Sequence, residues 1–174
     1  MSGPLAVPGM EIEVAIPCAA WLDACADAET VAGAAARLAL ARAMAGSPLL
    51  TDWRLVVDIR LTDDREQRHL NHTYCGKDRP TNVLSFPLAD LAEPGPPRSP
   101  VLLGDVVLAF ETVRREASEQ DKPFVDHLRH LVVHGVLHLL GFDHESEPEA
   151  EAMERCEIEI LAGLGVPDPY CNTM

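Results

Sequence analysis

The chain has 174 residues, of which 47% are apolar and 5% aromatic, and it sets 14 basic against 28 acidic side chains for a formal net charge of −14. This length suits one domain with an aliphatic core, spanning 1–174 with flexible tails at 1–10 and 165–174. A mean hydropathy of +0.01 and a pI near 4.7 exclude a disordered chain and also exclude indiscriminate nucleic-acid binding over the whole surface. Polar and apolar residues alternate over 11–16, which predicts a strand. The Ala- and Leu-rich stretch from Ala19 to Ala45 predicts one or two helices, stopped by Gly46-Ser47-Pro48. A second strand is expected over 54–61. Asp63 and Asp64 then read as the capped start of a helix reaching Tyr74. After the turn at 76–80, residues 82–88 predict a short strand, 89–100 a proline-rich loop, and 101–109 a nearly continuous apolar strand. Helices follow over 111–120, from near Pro123, and over 147–162. The expected fold class is α+β, a single domain with a small mixed sheet of about four strands and five to six helices.

No run of about 18 uncharged apolar residues occurs, so no membrane span is expected, and the first residues do not resemble a secretory leader. A cytoplasmic location follows as the expectation. The five cysteines are scattered and never spaced C-x-x-C, which predicts reduced, mostly buried thiols. The last helix carries much of the excess acid, from Glu147 to Glu159 against Arg155 alone. In contrast, Arg54, Arg60, Arg65, Arg68, Lys77 and Arg79 fall in a stretch with about as many acids. A local positive cleft at the functional site is therefore expected, with the glutamates of the last helix pointing away from it.

Five of the seven histidines fall between His127 and His144. His134 and His138 stand four apart on a helix, so both rings project from one face and can reach a single metal. Gly141 lets the chain turn, and His144 can fold back as a third ligand. Three nitrogen ligands leave one tetrahedral position open, which is the arrangement of a catalytic zinc, here a zinc site at the end of a central helix. His127 and His130 read as groups supporting the ligands or as packing residues, with direct ligation as the alternative. Asp143 either hydrogen-bonds a ligand or caps the turn. The spacing matches the metzincin protease motif H-E-x-x-H-x-x-G-x-x-H, but Gly135 stands where those enzymes carry their general base, so peptide hydrolysis by that route is excluded.

The segment His134-Gly-Val-Leu-His-Leu-Leu-Gly-Phe-Asp-His144 resembles the H-G-x-L-H-L-x-G-x-D-H signature of the YbeY family of bacterial endoribonucleases. Asn71 to Pro87 and Leu103-Gly-Asp-Val-Val with Glu111-Thr-Val-Arg-Arg-Glu-Ala are similar to two further blocks of that family. Together they span about residues 50 to 162 in order. The resemblance implies one Zn2+ per chain on His134, His138 and His144; His130 and Asp143 are expected behind the ligands from their positions beside them. It also implies catalytic roles for His134 and for Arg60, an arginine expected near the metal where a guanidinium can clamp a phosphate. Cys75 stands where the family usually has Arg, leaving Lys77 and Arg79 as further substrate-binding cations. The implied function is a single-strand-specific endoribonuclease in 16S rRNA 3′-end maturation and ribosome quality control. The implied partners are single-stranded RNA and the small ribosomal subunit or its associated proteins. Two alternatives stand beside it: a zinc hydrolase acting on a non-nucleic substrate, and a ribosome-assembly factor whose zinc is structural.

Overall fold

Alternation along one strand sets the layering. In β2 (Arg54–Thr62), Leu55, Val57, Ile59 and Leu61 are buried while Arg54, Asp58 and Arg60 are exposed, the period-2 pattern of a sheet with one fully covered face. The computed structural model describes residues 9–48 and 52–171, so the expected flexibility of 1–8 and 172–174 lies outside the described residues. β1 (Met10–Ala15) pairs parallel with β2, β2 pairs parallel with β4 (Pro100–Ala109), and β3 (Val83–Pro87) pairs antiparallel with β4. The order β1-β2-β4-β3 leaves β3 at an edge. Pro87 is tolerated there because an edge strand need not donate every backbone N–H.

Six helices complete the α+β fold among the described residues: α1 (Ala20–Ala24), α2 (Ala28–Ala43), α3 (Asp64–Cys75), α4 (Phe110–Glu119), α5 (Phe124–Leu139) and α6 (Glu147–Gly163). Strand and helix ends fall within a residue or two of the sequence expectation. α2 buries Ala28, Ala32, Ala35, Ala36 and Ala39 completely. These small side chains let it lie close against α5, the most buried helix. α5 in turn hides Leu128, Leu131, Val132, Val133, Val136, Leu137 and Leu139. The few aromatics cluster: Trp21 meets Phe110 and Phe124 at ring separations of 5.4 and 5.5 Å, and its indole N–H donates to the Thr62 carbonyl at 2.8 Å. All five cysteines are free, but only Cys25 is buried, and Cys75 and Cys171 are exposed. The expectation of mostly buried thiols is corrected to that extent. No helix among the described residues is long and apolar enough to cross a membrane.

Two local features hold the sheet and helices in register. Gly104 has φ +138°, and a Cβ there would lie 2.1 Å from the Phe86 carbonyl oxygen, so only glycine lets β3 approach β4 where the β2–β4 register shifts. The Asp63 side chain caps α3 by accepting from Glu66 N at 2.9 Å. Asp64 then caps α4 from outside, accepting from the Thr112 backbone N–H at 3.0 Å and hydroxyl at 2.8 Å, while Glu111 accepts from Asp64 N at 2.8 Å. α4 has no side-chain cap of its own, and the pairing with α3 supplies one.

Candidate metal centre

Along α5 the histidines 127, 130, 134 and 138 form a stripe at helical spacing. The opposite faces pack into the core. Gly135 sits between two ligand positions but points at the sheet, where a Cβ would meet Val106 Cγ1 at 2.5 Å and Ser85 Oγ at 3.2 Å. Its carbonyl accepts from Ser85 Oγ at 2.9 Å. A glutamate at 135 would therefore be driven into β4, so this position is held for close packing of helix on sheet and cannot serve the cavity.

After α5 the chain reverses through Gly141, at φ +94°, and brings His144 back over the helix end. One ligand atom from each of His134, His138 and His144 lies within 4.8 Å of the other two. Nε2 of His134 and Nε2 of His138 are 3.1 Å apart. Two nitrogens at about 2.05 Å from one zinc at the tetrahedral angle would be about 3.3 Å apart, so this spacing fits a shared metal. Burial pushes the His138 imidazole below the usual histidine range, helped by the neighbouring His134 and His144 rings. That favours the neutral form, the form that binds metal.

His134 is held from behind. Its Nδ1 lies 2.5 Å from Oε1 of Glu157, a residue of α6 with no exposure to solvent. A carboxylate there requires Nδ1–H to donate, which leaves the Nε2 lone pair for the metal. The other oxygen, Oε2, receives His130 Nε2 at 3.2 Å and the Tyr170 hydroxyl. Burial alone would raise the Glu157 carboxyl, but the donors His130, His134 and Tyr170 outweigh it and hold it at about 2. Burial and the Glu157 charge push the Tyr170 hydroxyl upward, so it stays a donor. The expectation that Glu147–Glu159 all point away from the metal is thus corrected at Glu157, while Glu147, Glu149, Glu151, Glu154 and Glu159 are exposed. Only its position facing α5 on the buried side of α6, beside Met153, Ile160 and Leu161, distinguishes it in the sequence from its neighbours. A second carboxylate, Glu116, accepts from His127 Nε2 at 2.8 Å and from Asn82 Nδ2 at 3.0 Å. It ties the start of β3 to α4 and α5.

The histidine cavity, about 450 Å³, is lined by β3 and the Gly141–His144 turn. Among its lining residues there is no lysine or arginine and one carboxylate, Asp143. The local positive cleft expected from the sequence is therefore corrected. Asp143 Oδ1 accepts from the His144 backbone N–H at 2.7 Å and lies 3.9 Å from its Nδ1, so it caps the turn while facing the cavity. Arg60, expected near the metal, lies on the opposite face of the sheet. The buried row Ile59–Val106–Ser85 faces α5, and Arg60, paired in register with Val107, points the other way. It makes a two-pronged ion pair with Glu66 and lines a separate cavity of about 630 Å³ with Glu13, Asp58, Asp105 and Tyr74. Lys77 and Arg79 are exposed in the turn after α3 and line neither cavity. The Asn71 side chain braces that turn by donating to the Arg79 carbonyl at 2.8 Å.

The profile of the family described as Endoribonuclease YbeY matches residues 28–165. A protein of Paramagnetospirillum magneticum with that name is 51% identical over 162 residues, covering 92% of this chain and 96% of its own length. Its namesake from Bradyrhizobium sp. is 49% identical over 167 residues, covering 95% and 94%. The solution structure of a Thermotoga maritima protein, at 22% identity and a TM-score of 0.50, covers 94% of this chain and 99% of its own and shares the fold. The three histidines fall inside the matched region, and the chain belongs to the Endoribonuclease YbeY family.

Proposed function

We propose that this protein is a zinc-dependent endoribonuclease that cuts single-stranded RNA at the cavity of His134, His138 and His144. In this reading it matures the 3′ end of 16S rRNA in the cytoplasm and takes part in ribosome quality control. The observation that carries the reading is the convergence of three imidazoles beside an open cavity, in a chain of an endoribonuclease family. The donor set suits Zn2+, with one ion per chain, and when bound the ion supplies Lewis acidity toward a phosphodiester. The protein's own groups divide the remaining work. His134 is kept in the correct tautomer by Glu157. Asp143, the carboxylate among the residues lining the cavity, accepts the proton from the attacking water in this reading. Asn82 and Ser85, which line the same cavity, offer polar contacts to the RNA in this reading.

Because no lysine or arginine lines the cavity among the described residues, affinity for RNA phosphates there depends on the metal in this reading. The −14 net charge opposes approach of free RNA. That balance supports delivery of the substrate by a partner, in this reading the small ribosomal subunit or a protein bound to it. The test is to map the 3′ end of small-subunit rRNA in cells lacking the protein, complemented by the wild-type or a His138→Ala copy. Mature ends with the wild type and extended ends with the variant support the reading. Mature ends with both copies refute it.

A further inference from the structure

We propose that Tyr170, in the segment that follows α6, is a positioning residue of the metal centre: it fixes the carboxylate of Glu157 and, through it, the ring of His134. The inference rests on the reading of His134 as a metal ligand. A glutamate carboxylate turns about a broad terminal torsion with no strong preference of its own, so its plane is set by its partners. Here Oε1 meets His134 and Oε2 meets both His130 and the Tyr170 hydroxyl. Because the two oxygens are rigidly joined, clamping Oε2 fixes the direction of Oε1, hence the rotation of the His134 ring and the aim of Nε2.

The segment that carries Tyr170 is built to hold this clamp. Residues 165–174 were expected to form a flexible tail, yet 166–171 are anchored at several points. Val166 is buried and its N–H donates to the Leu161 carbonyl at 2.9 Å. Asp168 accepts from the Tyr170 N–H at 2.8 Å, and Lys122 Nζ donates to the Pro169 carbonyl at 3.3 Å. The Tyr170 ring stands edge-on against His130 with centroids 5.7 Å apart. Metal site and terminal segment are therefore coupled, and by linkage each must stabilise the other. Zinc that orders His134 strengthens the hold on the segment, and an anchored segment strengthens the hold on zinc.

The test compares full-length wild-type protein, Tyr170→Phe and Glu157→Gln. Tyr170→Phe keeps the ring, which is partly exposed, and removes only the hydroxyl. Zinc affinity is read by competition with a chromophoric chelator, ligand geometry by the visible absorption of the Co2+-loaded protein, and order in the segment by hydrogen exchange of residues 166–171 with and without zinc. The expected result is about tenfold weaker zinc binding for Tyr170→Phe, an altered Co2+ spectrum, and zinc-dependent protection of 166–171 in the wild type that the variant loses. A Tyr170→Phe variant with wild-type affinity and spectrum, beside a Glu157→Gln variant that changes both, overturns the role of Tyr170. Wild-type protein that binds neither ion overturns the ligand reading and this inference together. Since no readout depends on RNA cleavage, failure to cut RNA bears on the proposed function alone.

Discussion

Glu157 of α6 accepts a hydrogen bond from His134 Nδ1 of α5 at 2.5 Å while having no exposure to solvent. A buried charge is tolerated only when several donors replace its hydration, and here three do. The acidic last helix thus contributes one carboxylate to the metal centre and leaves the others in solvent.

Glu157→Gln keeps the volume but removes the charge that enforces the Nδ1–H tautomer of His134. Zinc affinity should fall roughly 10- to 100-fold, the range for groups that orient metal ligands, as measured by chelator competition. Unchanged affinity would show that His134 needs no such support.

Gly135 separates this chain from the metzincin pattern for a steric reason. Gly135→Ala places a methyl 2.5 Å from Val106 Cγ1. Overpacking should destabilise the protein by about 1–3 kcal/mol, reduced by the roughly 1 kcal/mol that alanine gains over glycine in a helix. Urea unfolding should show a lower midpoint. A higher midpoint would mean that the helix can move off the sheet freely.

Much of this was legible in the sequence. The strands and helices stand out because apolar period and turn residues agree, and the ligands because His134, His138 and His144 lie on one short segment. The partners of those ligands are distant in the chain: Glu157 is one of several glutamates on its helix, and Tyr170 follows a helix end with no local pattern to mark it. Arg60 shows the opposite difficulty. Strand alternation beside Ile59 and Leu61 indicates that it leaves the buried face, but which face carries α5 is a tertiary fact. The Glu111-Thr112 pair similarly acquires meaning only once Asp64 is seen to cap α4 across the chain.

Arg60 leads to a separable prediction. Because it pairs with Glu66 on the face away from the histidines, Arg60→Ala should leave zinc content and affinity at wild-type values. Loss of zinc from a variant that remains folded by circular dichroism would contradict this placement.

Glu116 gives the pH dependence. Burial opposes its charge, but His127 and Asn82 outweigh that and hold the carboxyl below its ordinary 4.5. A carboxylate depressed in the folded state contributes stability that is present above 4.5 and lost as pH falls through the lowered folded value. Urea midpoints measured from pH 6 to pH 3 should therefore fall less steeply for Glu116→Gln than for the wild type. Parallel curves would show that Glu116 is not linked to folding.

The most direct measurement is zinc content together with cleavage of a single-stranded RNA, on the same preparations of wild-type protein and His138→Ala. The wild type should hold one zinc per chain and cut the RNA, and a chelator should abolish cleavage. The variant should retain no zinc and leave the RNA intact. A zinc-free His138→Ala protein that cuts RNA at the wild-type rate would contradict a metal-dependent nuclease at His134, His138 and His144.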